Sequence, residues 1–250
     1  MRIAQIAPLA ECCPPRLYGG IERIVSYLTE ELVRQGHDVT LYASGDSQTQ
    51  ARLVAGSPTA LRLNAEVKDP LPYHITMLDQ VVLHADEFDV LNFHTDILHF
   101  PMIQSFALRT VTTLHGRLDI PDYSSFYRHF PHATLMSISL DQPRADTHWL
   151  GNVYHGIPRD LLPLVRKPAG DYLAFLGRIS PEKRPDRAIE IAVRSGLPLR
   201  IAAKVDRVDE AYWQEKILPM IQASPNVEFI GEVNEQQKAD FLGNARALLF

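Results

Sequence analysis

Cysteine is nearly absent from this 250-residue sequence: Cys12 and Cys13 stand side by side, and there are no others. Adjacent cysteines close no ordinary disulfide and supply no metal site by themselves, so a disulfide-stapled scaffold is excluded and a reducing setting is expected. Uninterrupted apolar runs of about 18 residues are also missing, which excludes a hydrophobic membrane-spanning helix. The start, Met1-Arg2-Ile3-Ala4-Gln5-Ile6-Ala7-Pro8, has one charge and too short an apolar run to read as a signal peptide, so a soluble cytoplasmic protein is expected. Basic excess is lacking, at a formal net charge of −5, and no nucleic-acid partner is expected. Present instead are 46% hydrophobic and 22% charged residues, the balance of a globular chain long enough for one to two domains.

The charge is unevenly spread. Residues 1–165 hold 12 Lys/Arg against 18 Asp/Glu, a net of −6, while residues 166–250 hold 13 against 12, and all ten histidines precede residue 156. Two functional compartments follow as an expectation. Short β-rich runs alternate with helical patterns, the rhythm of a parallel sheet. The first series reads as a strand at Arg2–Ala7, a helix at Ile21–Gln35 with Ile24, Val25, Leu28 and Leu32 on one face, and a strand at Asp38–Ala43. After a polar irregular stretch come a helix near His74–Ala85 and strands at Asp89–Phe93, Thr110–Leu114, Thr134–Ile138 and Asn152–Tyr154. Pro158, Pro163, Pro168 and Gly170 mark a linker. A second series then places strands at Tyr172–Leu176, Leu199–Ala203, Val227–Ile230 and Arg246–Phe250, the last read as buried, with helices at Pro181–Ser195, Glu210–Gln222 and Glu235–Asn244. Two Rossmann-like α/β domains, 1–165 and 166–250, are expected.

In open parallel sheets ligands bind beyond the carboxyl ends of the strands. After the first strand, Tyr18-Gly19-Gly20 leads into a helix, where two glycines let a ligand approach backbone N–H groups; an ordinary loop turn is the alternative. Three strands run into histidines: His94, His115-Gly116 and His155-Gly156. Their spacings, 21 and 40 residues, match no usual zinc pattern, so a metal site is the least favoured reading beside hydrogen bonding to a polar substrate and simple packing. Packing suits His94 and His155 as well as function does; His115, beside a glycine at the end of an apolar strand, favours function. The sharpest signal is Gly177-Arg178-Ile179-Ser180-Pro181-Glu182-Lys183-Arg184-Pro185-Asp186-Arg187. With Ser180 as N-cap and Pro181 opening the helix, Lys183 and Arg184 oppose the helix dipole, each by ~0.3–1 kcal/mol, as if an anion were missing. A diphosphate held by an Arg and a Lys would answer that need. A solvated basic face relieved by Glu182 and Asp186 is the alternative.

Tyr18-Gly19-Gly20-Ile21-Glu22-Arg23, Gln35-Gly36-His37-Asp38-Val39, Thr112-Thr113-Leu114-His115-Gly116 and Gly177-Arg178-Ile179-Ser180-Pro181-Glu182-Lys183 together resemble, in order and spacing, the retaining glycosyltransferases of family 4. The resemblance implies a GT-B fold: an acceptor-binding domain and a nucleotide-sugar-binding domain facing across a cleft, the second incomplete here. It implies transfer of a hexose, with UDP-glucose as the family-level donor, retention of configuration, and no cofactor, metal or protein nucleophile. Arg178 and Lys183 would hold the donor diphosphate and stabilise its growing charge, with Gly177 beside them. Gly19 and Gly20 would offer backbone N–H groups, His115 would touch the donor sugar, and Glu232 and Val233 would face the base. Tyr18, His94 and His155 are the acceptor-side candidates. Two features depart from the family: His155-Gly156-Ile157-Pro158 replaces Asn-Gly-Ile-Asp, and no Glu-x7-Glu motif occurs before Phe250. The second departure implies weak donor binding by these residues alone. It also leaves open a catalytically incomplete or partner-completed module. A sugar-nucleotide epimerase or NAD-dependent dehydrogenase is disfavoured because no Gly-x-Gly-x-x-Gly follows any strand. For the acceptor, a small soluble molecule is expected, a pterin being one candidate.

Overall fold

The computed structural model describes residues 1–62, 64–116, 118, 120–142 and 147–250, and the chain divides into two compact units, Met1–Ile157 and Pro158–Phe250. In the first unit the strands are β1 (Arg2–Ile6), β2 (Asp38–Ser44), β3 (Arg52–Ser57), β4 (Val90–Phe93), β5 (Thr110–Leu114), β6 (Leu135–Ser137) and β7 (Trp149–Asn152). They form one all-parallel sheet in the order β3-β2-β1-β4-β5-β6-β7. Its helices are α1 (Gly20–Arg34), α2 (Leu71–Leu83) and α3 (Pro121–His129).

Alternation along the strands covers both sheet faces, as parallel sheets require. Leu41 and Ala43 of β2 pack with Val25 of α1, whereas Tyr42 between them joins Met77, Leu78 and Val81 of α2, together with Phe93 and Leu91. The innermost face of α1 is Glu22, Val25, Ser26 and Thr29; Ile24, Leu28 and Leu32 are only half-buried. The helix is thus rotated from the stripe its apolar residues suggest, because Glu22 is drawn inward by the β1–α1 loop.

The second unit contains β8 (Leu173–Ile179), α4 (Pro185–Ser195), β9 (Leu199–Val205), a helical segment made of α5 (Glu210–Tyr212), a π turn at Trp213–Ile217 and α6 (Leu218–Gln222), then β10 (Val227–Gly231), α7 (Glu235–Gly243) and β11 (Ala247–Leu249). Its sheet, also parallel, runs β10-β9-β8-β11. Phe175, Ile201 and Ala203 pack on Ala188, Ile189 and Ala192 of α4, and Ala174 and Ala202 pack with Phe241 of α7 on the opposite face. Gly196 closes α4 at φ +67°, a left-handed conformation with nothing near a built Cβ. Gly196→Ala is therefore expected to cost about 1 kcal/mol through backbone conformation alone, measured as a shift in the urea midpoint.

Several boundaries differ from those expected. The division falls at Ile157/Pro158 rather than 165/166. Helix α4 begins at Pro185, because the second of two candidate N1 prolines takes that position and Arg184 before it adopts φ 55° and ψ 46°, breaking helical continuity. Ser180 is therefore not an N-cap, and Lys183 lies in the turn before the helix. β7 sits three residues earlier than read, since its register pairs Asn152 with Ser137. β11 pairs with β8 within the described residues.

Candidate active site

In each sheet the strand order reverses beside the first strand, between β1 and β4 in the first unit and between β8 and β11 in the second. The carboxyl ends at that point define the ligand crevice of open α/β sheets.

In the first unit the β1–α1 loop is tied down residue by residue. Glu11 N–H donates to Glu22 Oε1 at 3.2 Å, Cys13 N–H to Ser47 Oγ at 2.9 Å, and Leu9 N–H to His74 Nε2 at 3.1 Å. Glu11 also pairs with Arg62. Both cysteines are buried here, and burial pushes the Cys13 thiol well up, so they pack rather than react. A Cβ on Gly19 would come within 2.7 Å of the Pro15 side chain, while one on Gly20 would meet open space. Gly19 thus seats the loop and Gly20 leaves the start of α1 approachable; no side chain caps that helix. Tyr18 is exposed next to them.

The three histidines at the carboxyl edge touch one another. His94 Nε2 bonds Gln5 Oε1 at 2.9 Å, His94 Nδ1 bonds His115 Nε2 at 2.8 Å, and His115 Nδ1 bonds His155 Nε2 at 3.2 Å. The rings bond in series rather than converging on a point, and among the described residues no group of three His, Cys, Asp or Glu side chains is arranged for a metal. His94 is 1% exposed with both nitrogens engaged, so the expectation that it contacts an acceptor is corrected: it supports His115. Both nitrogens of half-buried His115 are likewise occupied, so a ring-nitrogen contact to a sugar requires His155 to move aside. His155 is exposed, and its Nδ1 has no hydrogen-bond partner among the described residues. Burial lowers all three: His94 well below the ordinary imidazole range, His115 to about 3, and His155 to a smaller extent. A fourth histidine, His99, carries no signal in the sequence. It is fully buried, stacked on Phe93 with centroids 4.0 Å apart, bonded to Thr112 Oγ at 2.8 Å, and lowered by burial to about 3.

In the second unit Gly177 and Arg178 occupy the carboxyl end of β8, and Arg178 lies in register with Lys204 of β9. Three carboxylates surround the guanidinium: Glu182, which bonds Nη2, Asp209 at 3.6 Å from Nε, and Asp206 at 3.9 Å from Nη1. Asp206 also pairs with Lys204 at 2.7 Å. Lys204, Asp206 and Asp209 were not legible as site residues, because only strand register brings them beside Arg178. Arg184 forms a two-point pair with buried Asp186, at 2.9 and 3.0 Å, and Lys216 adds a third contact at 2.9 Å. Arg184 beside it, helped by Lys216, holds the Asp186 carboxyl well below the usual range. Arg184 is thus a structural cation. Lys183 and Arg187 make no ion pair among the described residues; the Lys183 ammonium lies 5.4 Å from the centre of the Phe250 ring. Ser180 Oγ is buried without a hydrogen-bond partner at the end of β8. Gly231, at φ +76°, turns the chain out of β10 and puts Glu232 and Val233 at the same edge, although the Val233 side chain packs on the Tyr172–Phe241 cluster.

The sequence profile of Glycosyltransferase Family 4 matches residues 18–147, just over half of the chain, and the protein belongs to that family. Its fold is the GT-B fold of glycosyltransferases. Among solved structures the chain is similar to AviGT4, a glycosyltransferase involved in avilamycin A biosynthesis (21% identity, TM-score 0.70), covering 99% of this chain and 69% of that one. Sucrose-phosphate synthase from Thermosynechococcus elongatus aligns at 14% identity and TM-score 0.71, covering 99% and 74%. Anabaena HepE, solved with UDP and glucose, aligns at 14% and 0.68, covering 99% and 73%. No curated protein sequence matches significantly. No helix among the described residues is long and apolar enough to cross a membrane.

Proposed function

We propose that the protein transfers a hexose from a UDP-sugar, UDP-glucose in the first instance, to a small soluble acceptor with retention of configuration, in the cytoplasm. The observation that carries this reading is the placement of Arg178 at the carboxyl end of β8, where the second sheet reverses, with Lys183 following it free of any carboxylate among the described residues. Arg178 and Lys183 bind the donor diphosphate, and Glu232 lies toward the base. As the bond between the anomeric carbon and the phosphate oxygen breaks, negative charge grows on the departing diphosphate and the two cations stabilise it. The acceptor oxygen bonds the anomeric carbon on the same face, its proton passes to the leaving phosphate, and UDP departs. On the first unit, Gly19 and Gly20 offer backbone donors to an anion, and Tyr18 and His155 present the polar exposed surface of an acceptor site, for which a pterin is one candidate.

Glu182 holds Arg178 Nη2 in this structure, so a diphosphate must exchange with that carboxylate. A half-exposed pair of this kind contributes on the order of 0.2–1 kcal/mol. Glu182→Gln is therefore expected to tighten UDP binding by about two- to fivefold, read by calorimetry; weaker binding in the variant would show that Glu182 helps rather than competes. Incubation with radiolabelled UDP-glucose and candidate acceptors, with anomeric analysis of the product by NMR, tests the reaction itself. An inverted product would overturn retention.

A further inference from the structure

Which nitrogen of each histidine carries the proton follows from the far end of the chain. Asn92 Nδ2 donates to Gln5 Oε1 at 3.3 Å, and Thr113 Oγ donates to Asn92 Oδ1 at 3.1 Å, so Gln5 turns its carbonyl oxygen toward His94. His94 must then donate from Nε2. A neutral imidazole has a single N–H, so its Nδ1 accepts, and the proton between His94 and His115 belongs to His115 Nε2. By the same step His115 Nδ1 accepts from His155 Nε2, and the series ends at the lone pair of His155 Nδ1, which has no partner among the described residues. The rings also lie against one another, His94 and His115 tilted by 35° with centroids 5.1 Å apart and His115 and His155 within 24° of parallel at 5.0 Å. The His94 backbone is anchored to β1 through its N–H and the Ile6 carbonyl at 2.9 Å.

We propose that His94 and His155 are positioning residues that act through His115: Gln5, His94 and His155 together hold His115 with its proton on Nε2 and its ring plane fixed at the carboxyl edge of β5. The proposal rests on the reading of that edge as the substrate edge, and it extends the reading by assigning His94 to His115 alone and by giving His155, beside its exposed acceptor-side surface, the second task of fixing His115. It also gives His155 a definite outer face. Protonation at Nδ1 leaves its inward Nε2–H bond intact and turns the exposed end of the series from a hydrogen-bond acceptor into a donor.

Long-range proton–nitrogen NMR of the histidine rings in the full chain distinguishes the two neutral tautomers and tests the proposal without requiring turnover. In wild type, His115 is expected as the Nε2–H tautomer alone between pH 8 and pH 5.5, with no titration in that range. His155→Leu removes the donor to Nδ1 and opens the ring to water; His115 should then mix tautomers and its midpoint should rise by at least about one pH unit. His155→Gln, whose amide nitrogen takes the place of Nε2, should restore the wild-type pattern. An Nδ1–H tautomer in wild type, or identical spectra for the Leu and Gln variants, would overturn the proposal. Failure of wild type to bind UDP would count against the proposed reaction and not against the tautomer assignment, so the two failures are separable.

Discussion

Replacing Arg178 and Lys183 together by alanine is expected to lower kcat/KM for sugar transfer by about 10²–10⁴ and to abolish measurable UDP binding. The magnitude follows from losing two charge-assisted contacts to phosphate, each worth ~1.5–3 kcal/mol, at about 1.4 kcal/mol per tenfold. The substitutions should leave the fold intact. Arg178 lies at a strand end with 31% of its side chain exposed, and Lys183 is exposed in the turn ahead of α4. A control at Arg187, also cationic and unpaired among the described residues but within the first turn of α4, should lose far less. Equal losses at Arg187 and at the pair would mean that the cluster acts as a diffuse basic face. Retained activity in the double variant would remove the diphosphate from this edge.

Acid is expected to destabilise the first unit well before ordinary carboxylates titrate. His94, His99 and His115 are held below the ordinary imidazole value by burial, His99 and His115 to about 3. Between pH 6.5 and pH 3 the unfolded chain therefore takes up protons that the folded chain refuses. Stability is fully present above about pH 6.5 and falls as the pH drops, by up to ~1.4 kcal/mol per pH unit for each such group. Glu22 and Asp96, raised by burial, act in the opposite sense, since their folded forms hold protons that the unfolded carboxylates have lost, and they offset part of the slope toward pH 4. Thermal unfolding followed from pH 7.5 to pH 5 should show the midpoint falling on the order of 10 °C. His99→Gln, which removes one of the three groups while keeping an amide near Thr112, should flatten the dependence. A midpoint insensitive to pH over this range would mean that the histidines are hydrated in solution.

The parts of the fold legible in the sequence are those where burial imposes a pattern. β1, β2, β5 and β9 are largely buried runs rich in aliphatic and β-branched residues, and they lie within a residue or two of where those runs predict. β3 was missed because Arg52–Ser57 is a half-exposed edge strand containing Gly56, polar enough to read as loop. α3 was missed because its buried side is aromatic, with Phe126 and Tyr127 packing on Phe100, and shows no aliphatic periodicity. At the site, Arg178 and Lys183 declared themselves through spacing in one short segment. The Gln5–His94–His115–His155 series did not, because strand order rather than sequence distance places residues from β1, β4, β5 and the segment after β7 within hydrogen-bond reach. The same holds for Asp206 and Asp209, which follow β9 and close on Arg178 only through the β8–β9 register. Charge at the helix start is less uncompensated than the sequence suggests: Arg184 is satisfied by Asp186, while Lys183 before the helix and Arg187 within it make no ion pair among the described residues.

Binding of a nucleotide diphosphate at the carboxyl edge of β8 is tested most directly by titration of UDP into isotopically labelled protein, followed amide by amide. The expected result is a set of saturable shifts concentrated at Gly177, Arg178, Ser180 and Lys183 with a second group at Glu232 and Val233, absent when Arg178 and Lys183 are both alanine. Saturable shifts confined to other residues, or none at these positions at millimolar UDP, would contradict it.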